Sequence, residues 1–200
     1  MNRGRGNIRA MAMFGAAVAL YSGSVIAADF EAGRKKAELC AACHGAAGNS
    51  HIPANPSLAG QPAQSITLQL FQFREGNRTD PQMTPVAANL SNADMNDLAA
   101  YFSRQTPAAP SHQTRSANLT AGQRLAEQHH CTQCHGPALL GLQHIPRLAG
   151  QQSAYLKAQL RGFKARTRSD FDGNMTSAAQ ALSDADIDVL ADYISGLGSP

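Results

Sequence analysis

The chain has four cysteines, and all of them fall in two matching pentapeptides, Cys40-Ala41-Ala42-Cys43-His44 and Cys131-Thr132-Gln133-Cys134-His135. A Cys-x-x-Cys-His run attaches a c-type haem: two thiols form thioether bonds to the porphyrin, and the adjacent histidine ligates the iron. Two such runs predict two covalently bound haem c groups, held by Cys40, Cys43, Cys131 and Cys134, with His44 and His135 as one axial ligand each. Whatever fold forms must therefore wrap a rigid, flat group twice. Zinc is a weaker reading, because structural zinc sites set their cysteine pairs roughly 15–20 residues apart. Disulfides within the pairs would leave the histidine after both unexplained.

The surroundings of the pentapeptides are duplicated as well. Leu58-Ala59-Gly60-Gln61 returns as Leu148-Ala149-Gly150-Gln151, and Arg78-Thr79-Asp80 as Arg168-Ser169-Asp170. Met83-Thr84 matches Met175-Thr176, Leu90-Ser91 matches Leu182-Ser183, and His51-Ile52-Pro53 resembles His144-Ile145-Pro146. The chain is a duplicated domain. Residues 105–118 carry prolines and small polar residues without apolar periodicity and read as a linker. This divides the chain into residues 28–104, the linker, and residues 119–200. Each half has about 80 residues, a marginal size for an ordinary apolar core, so a buried haem is expected to complete it.

Residues 1–27 read as a secretory signal peptide. Arg3, Arg5 and Arg9 precede an apolar stretch from Ala10 to Leu20, followed by small residues before Ala27. That stretch is shorter than the roughly 20 residues a membrane span needs. Export implies a periplasmic location, the compartment in which bacteria attach haem c. Three of the 17 basic residues lie in this segment and none of the 14 acids does, so the exported chain carries 14 of each sign. A neutral balance excludes the basic-surface argument for nucleic acid and leaves at most peripheral membrane association.

The periodicity is helical throughout, and no segment alternates as a strand, so the fold class is all-α. Asp29 is placed to cap the helix bearing the first pentapeptide, and Thr120 with Gln123 forms a capping-box pattern for its counterpart. Ile66, Leu70 and Phe73 lie on one helical face, as do Leu156, Leu160 and Phe163. The last helix of each half starts at Ser91 or Ser183 and carries Met95, Leu98 and Phe102, or Ile187, Leu190 and Ile194. Lys157, Arg161, Lys164, Arg166 and Arg168 form a basic group, and Asp184, Asp186, Asp188 and Asp192 make the final helix acidic; both read as solvated faces. The apolar residues show no surplus of aromatics to expose.

The remaining iron ligands follow from the methionines. After the signal segment there are three, Met83, Met95 and Met175. Met95 aligns with Ile187 on a core stripe. Met83 and Met175 recur in polar segments broken by proline or glycine, where a loop can present sulfur to an iron. Met83 is read as the second ligand of the first iron and Met175 as that of the second. Thioether sulfur favours ferrous iron and raises the reduction potential. His51, His112, His129, His130 and His144 are read as surface or neighbouring groups, not ligands.

Taken together, the tandem pentapeptides, the Leu-Ala-Gly-Gln segments, the Arg-Thr-Asp…Met-Thr stretch and the paired terminal helices resemble the cytochrome c4 family. The resemblance implies two tandem class I cytochrome c domains related by a pseudo-twofold, each wrapped around a covalent haem, with propionates facing the domain interface. It implies a periplasmic electron carrier, not an enzyme, working between a membrane-bound quinol-oxidising complex and a terminal oxidase. The alternative is a cytochrome subunit of a larger oxidoreductase, such as a flavocytochrome sulfide dehydrogenase. A di-haem peroxidase would need an open iron position, against which the matched methionines argue.

Overall fold

The computed structural model describes Met1 and residues 27–198. The signal segment lies almost wholly outside the described residues. Among those residues the fold is helical with no strand, apart from an isolated antiparallel bridge between Leu142 and Ile145. The first half contains α1 (Phe30–His44), α2 (Ala63–Arg74), α3 (Met83–Ala87) and α4 (Asn92–Ser103). The second contains α5 (Ser116–Gln128), α6 (Cys131–His135), α7 (Ser153–Lys164), α8 (Asn174–Gln180) and α9 (Asp184–Ser195). In each half the first and last helices cross and the middle helix packs on the last, as α1 and α2 do on α4, and α5 and α7 on α9. No described helix is long and apolar enough to cross a membrane.

Caps explain where the terminal helices begin. Ser91 and Asp94 form a reciprocal capping box at α4, and Ser183 and Asp186 do the same at α9. The Asp29 carboxylate accepts the Glu31 and Ala32 N–H groups at the start of α1. Helix α5 differs from the sequence reading. It begins at Ser116, inside the segment read as linker, and Thr120 and Gln123 lie within it instead of capping it. Its start is held from across the half by Asp192 on α9, which accepts the Arg115 N–H at 3.1 Å and the Asn118 amide at 2.8 Å. Asp97 on α4 does the same work in the first half, accepting the Asp29 N–H at 2.7 Å.

The apolar stripes are the core. Met95, Leu98 and Phe102 on α4, and Ile187, Leu190 and Ile194 on α9, are all buried, as are Ile66, Phe73, Leu156 and Phe163 from the middle helices. The first and last helices approach so closely that only glycine fits at the crossing. A Cβ on Gly33 would lie 2.0 Å from the Asp97 carbonyl oxygen, and one on Gly122 would lie 2.2 Å from the Tyr193 Cβ. The obstacle at Gly33 is backbone, which cannot swing aside. Gly33→Ala is therefore expected to destabilise the holoprotein by about 1–3 kcal/mol. A thermal melt checks this, and an unchanged melting temperature would contradict it.

The halves meet through reciprocal contacts. Gln61 donates its amide to the Arg147 carbonyl at 2.9 Å and accepts the Arg147 N–H at 3.0 Å. Gln151, its repeat counterpart, accepts the Ser57 N–H at 2.8 Å and donates to the Ser57 carbonyl at 2.9 Å. The Leu-Ala-Gly-Gln repeats are thus the interface, and exchange of the halves maps one pair onto the other. That is the signature of a twofold relation.

The oppositely charged groups of the second half neutralise each other. Lys157 and Arg161 on α7 pair with Asp188 on α9 at 3.1 and 3.0 Å. Asp186 is spent on its capping box and Arg168 lies at the interface, so the basic group is not one continuous face.

Candidate functional site

Each pentapeptide ends a helix. Cys40, Cys43 and His44 form the last turn of α1, while Cys131, Cys134 and His135 make up the short α6. The first-half helix runs through unbroken. The second breaks at His129 and His130, where His130 takes a left-handed backbone with φ of 54°. The cause is legible in the sequence: Ala32-Gly33 and Ala37-Glu38 match Ala121-Gly122 and Ala126-Glu127, but the second half inserts two residues before its first cysteine. A continuous helix would turn the pentapeptide away, and the kink absorbs the insertion. All four cysteines are free of disulfides; Cys43 and Cys134 are exposed, and Cys40 and Cys131 are half-buried.

Both histidines are buried and oriented alike. His44 Nδ1 lies 2.8 Å from the Pro56 carbonyl oxygen, and His135 Nδ1 lies 2.8 Å from that of Pro146. A carbonyl only accepts, so Nδ1 carries the proton. Burial is the main influence on both rings and lowers their pKa, favouring the neutral form, and the accepting carbonyl partly opposes it. Neutral imidazole protonated at Nδ1 leaves the Nε2 lone pair free for a metal. The contact also corrects the repeat alignment. Pro146 is matched functionally by Pro56 and not by Pro53 of the resembling His-Ile-Pro. His51 and His144 are exposed.

Met83 and Met175 are half-buried, and neither sits in a loop. Met83 opens α3 and Met175 is the second residue of α8. The aspartates of the repeated Arg-Thr/Ser-Asp segments are the reason. Asp80 accepts the Gln82 and Met83 N–H groups at 2.9 Å each. Asp170 accepts those of Met175 at 2.7 Å and Thr176 at 3.0 Å, and also the Thr176 hydroxyl. A carboxylate that satisfies the unpaired donors starts a helix even beside helix-breaking residues. Pro85 is tolerated because it falls in the first turn. Helix α3 packs on α2, and α8 on α7. Met95 is 1% exposed in the core of α4, as its stripe predicted.

The repeated arginines meet at the domain interface. Arg78 lies 2.5 Å from Gln69, 3.0 Å from Gln159 and 3.1 Å from the Tyr155 hydroxyl. Arg168 donates to Gln159 and, at 3.2 Å, to Gln69. Each guanidinium also covers a phenylalanine ring of its own half, Phe73 at 4.4 Å and Phe163 at 4.3 Å. Their hydrogen-bond partners among the described residues are neutral, and the Arg168 Nε is buried without one. Burial, and then repulsion from Arg78, lower Arg168 to about 10. Two cations whose hydrogen-bond partners are neutral fit an anionic group. The carboxylates of a haem, which the sequence resemblance sets at this interface, have the required charge, so the donor set fits haem at the histidines and at the interface.

The cytochrome c family model matches residues 30–105 and again 119–198. Cytochrome c4 of Pseudomonas aeruginosa is 40% identical over 181 residues, covering 86% of this chain and 90% of that protein. The chain belongs to the cytochrome c4 family. The crystal structure of reduced recombinant cytochrome c4 from Pseudomonas stutzeri superposes with a TM-score of 0.79 at 34% identity, covering 86% of this chain and 100% of that one. A thiosulfate dehydrogenase electron acceptor of Thiomonas intermedia is 35% identical over 178 residues, covering 84% of this chain and 82% of that protein. The thiosulfate dehydrogenase TsdBA of Marichromatium purpuratum matches with a TM-score of 0.75 at 32% identity, over 83% of this chain and 40% of that one. As a cytochrome c4, with one pentapeptide in each matched segment, the chain carries two covalent haem c groups and functions in electron transfer.

Two pairs of contributors escaped the sequence reading. Asp80 and Asp170 were quoted only as repeat markers, although an aspartate just ahead of a methionine is a helix-start signal. Arg78 and Arg168 were likewise markers, and Arg168 was grouped with a surface patch. The structure also exposes two aromatics, Phe171 at 80% and Phe71 at 37%, where no such surplus was expected.

Proposed function

We propose that the chain is a periplasmic carrier passing electrons, one per haem, from a membrane-bound quinol-oxidising complex to a terminal oxidase. His44 and Met83 hold the first iron, and His135 and Met175 hold the second. The observation that carries this reading is the recurrence, in both halves, of a carbonyl-anchored histidine and of a methionine on an aspartate-started helix. Bound haem supplies an iron that cycles between ferric and ferrous states. Pro56 and Pro146 keep each Nε2 available and fix each ring. Asp80 and Asp170 fix the backbone from which each sulfur projects. Two protein ligands per iron leave no position for substrate, which supports a carrier over an enzyme. Stopped-flow mixing of the oxidised protein with quinol and a quinol-oxidising complex is expected to reduce both haems, and added oxidase to reoxidise them. Failure of reduction would refute the assignment of donor.

A second reading is supported by the relatives named as thiosulfate dehydrogenase electron acceptors. In that case the donor is a thiosulfate-oxidising enzyme. Thiosulfate with that enzyme, in place of quinol with its complex, would then reduce the haems fast.

A further inference from the structure

Helices α2 and α7 correspond residue for residue, as Gln69 with Gln159 and Phe73 with Phe163 show. By the same register Tyr155 stands where the first half has Ser65. The ring Arg78–Gln69–Arg168–Gln159 obeys the twofold: each arginine donates to the glutamine of its own half and to that of the other. Tyr155 breaks it. Its hydroxyl accepts from Arg78 of the opposite half at 3.1 Å. Ser65 is buried at 2% exposure and carries its hydroxyl on Cβ, far shorter than a phenol. The phenol thus stands in the second half alone, bonded to the guanidinium of the first half, and has no counterpart there.

We propose that Tyr155 is a positioning residue that makes the two haem sites electrostatically unequal by holding Arg78 across the domain interface. A cation near an iron favours its reduced, less positive form, and the effect depends on distance and burial. Two haems in identical halves would have equal intrinsic potentials. A phenol present in one half alone and bonded to the other half's arginine separates them. Burial pushes the Tyr155 phenol up, and Arg78 and Arg168 outweigh this and bring it below the ordinary tyrosine value, so the phenol is engaged with both charges.

The inference rests on the presence of two low-spin haems, which haem stoichiometry and the spectrum of the unaltered protein test separately. The deciding experiment is a spectroelectrochemical titration of the holoprotein beside Tyr155→Ser, which copies the first half, and Tyr155→Phe, which keeps the ring and removes the hydroxyl. Both variants are expected to keep the low-spin spectrum and to narrow the gap between the two midpoint potentials. The expected size is a severalfold change in the equilibrium between the two half-reduced forms, a tenfold change being about 59 mV for one electron. A gap unchanged or widened in both variants overturns the proposal. So does a gap narrowed by Tyr155→Ser and left intact by Tyr155→Phe, because the hydroxyl would then have no part.

Discussion

Replacing Met83 with alanine is expected to turn the first haem high-spin and open to carbon monoxide, while the second stays low-spin. The argument starts at Asp80. Its carboxylate accepts the Gln82 and Met83 N–H groups and so fixes where α3 begins. Alanine keeps those backbone bonds and the helix, and removes only the sulfur. On the proposed ligation the first iron then lacks its soft sixth ligand. Its potential should fall by a sizeable part of the ~0.8 V that axial ligation spans. Met175→Ala is expected to mirror this at the second haem. Met95→Ala gives the contrast, because Met95 is 1% exposed within the core of α4. That change should cost about 2–5 kcal/mol of stability and leave both spectra low-spin. If Met83→Ala kept a low-spin spectrum indifferent to carbon monoxide, another residue would hold that iron.

The second large effect concerns folding. The large apolar side chains buried in the first half are Ile66, Phe73, Met95, Leu98 and Phe102. So few large side chains make a marginal core for a domain of this length, and the porphyrin is expected to complete it. A chain with all four cysteines changed to serine, purified without haem, is therefore expected to lose most of its helical circular dichroism. Native-like helical content in that chain would show that the side chains suffice alone.

Much of this was legible in the sequence because the relevant signals are local. A pentapeptide announces its chemistry in five residues, and the stripes at Met95, Leu98 and Phe102 declare a buried face by period alone. The capping serines were visible for the same reason, since a cap and its partner lie within one turn. What escaped depends on contacts distant in sequence. Helix α5 starts at Ser116 because Asp192 accepts from Arg115 and Asn118 more than 70 positions earlier, which no local pattern at Thr120 and Gln123 could reveal. Pro56 became the partner of His44 by geometry, while the more conspicuous His-Ile-Pro resemblance pointed to Pro53. Arg168 looked like one of several surface cations until the fold carried it against Arg78 and Gln69 of the other half. Met83 and Met175 stand out by recurrence, but their helical setting does not, because Pro85 and Gly173 read as breakers while the starting role of Asp80 and Asp170 shows only in the fold.

The most direct test of the central claim is the absorption spectrum of the purified holoprotein, ferric and ferrous, with and without carbon monoxide. Two low-spin haems with a methionine-to-iron charge-transfer band, and no response to carbon monoxide, are the predicted result. A high-spin fraction that binds carbon monoxide in the unaltered protein would contradict it, because at least one methionine would then not hold its iron.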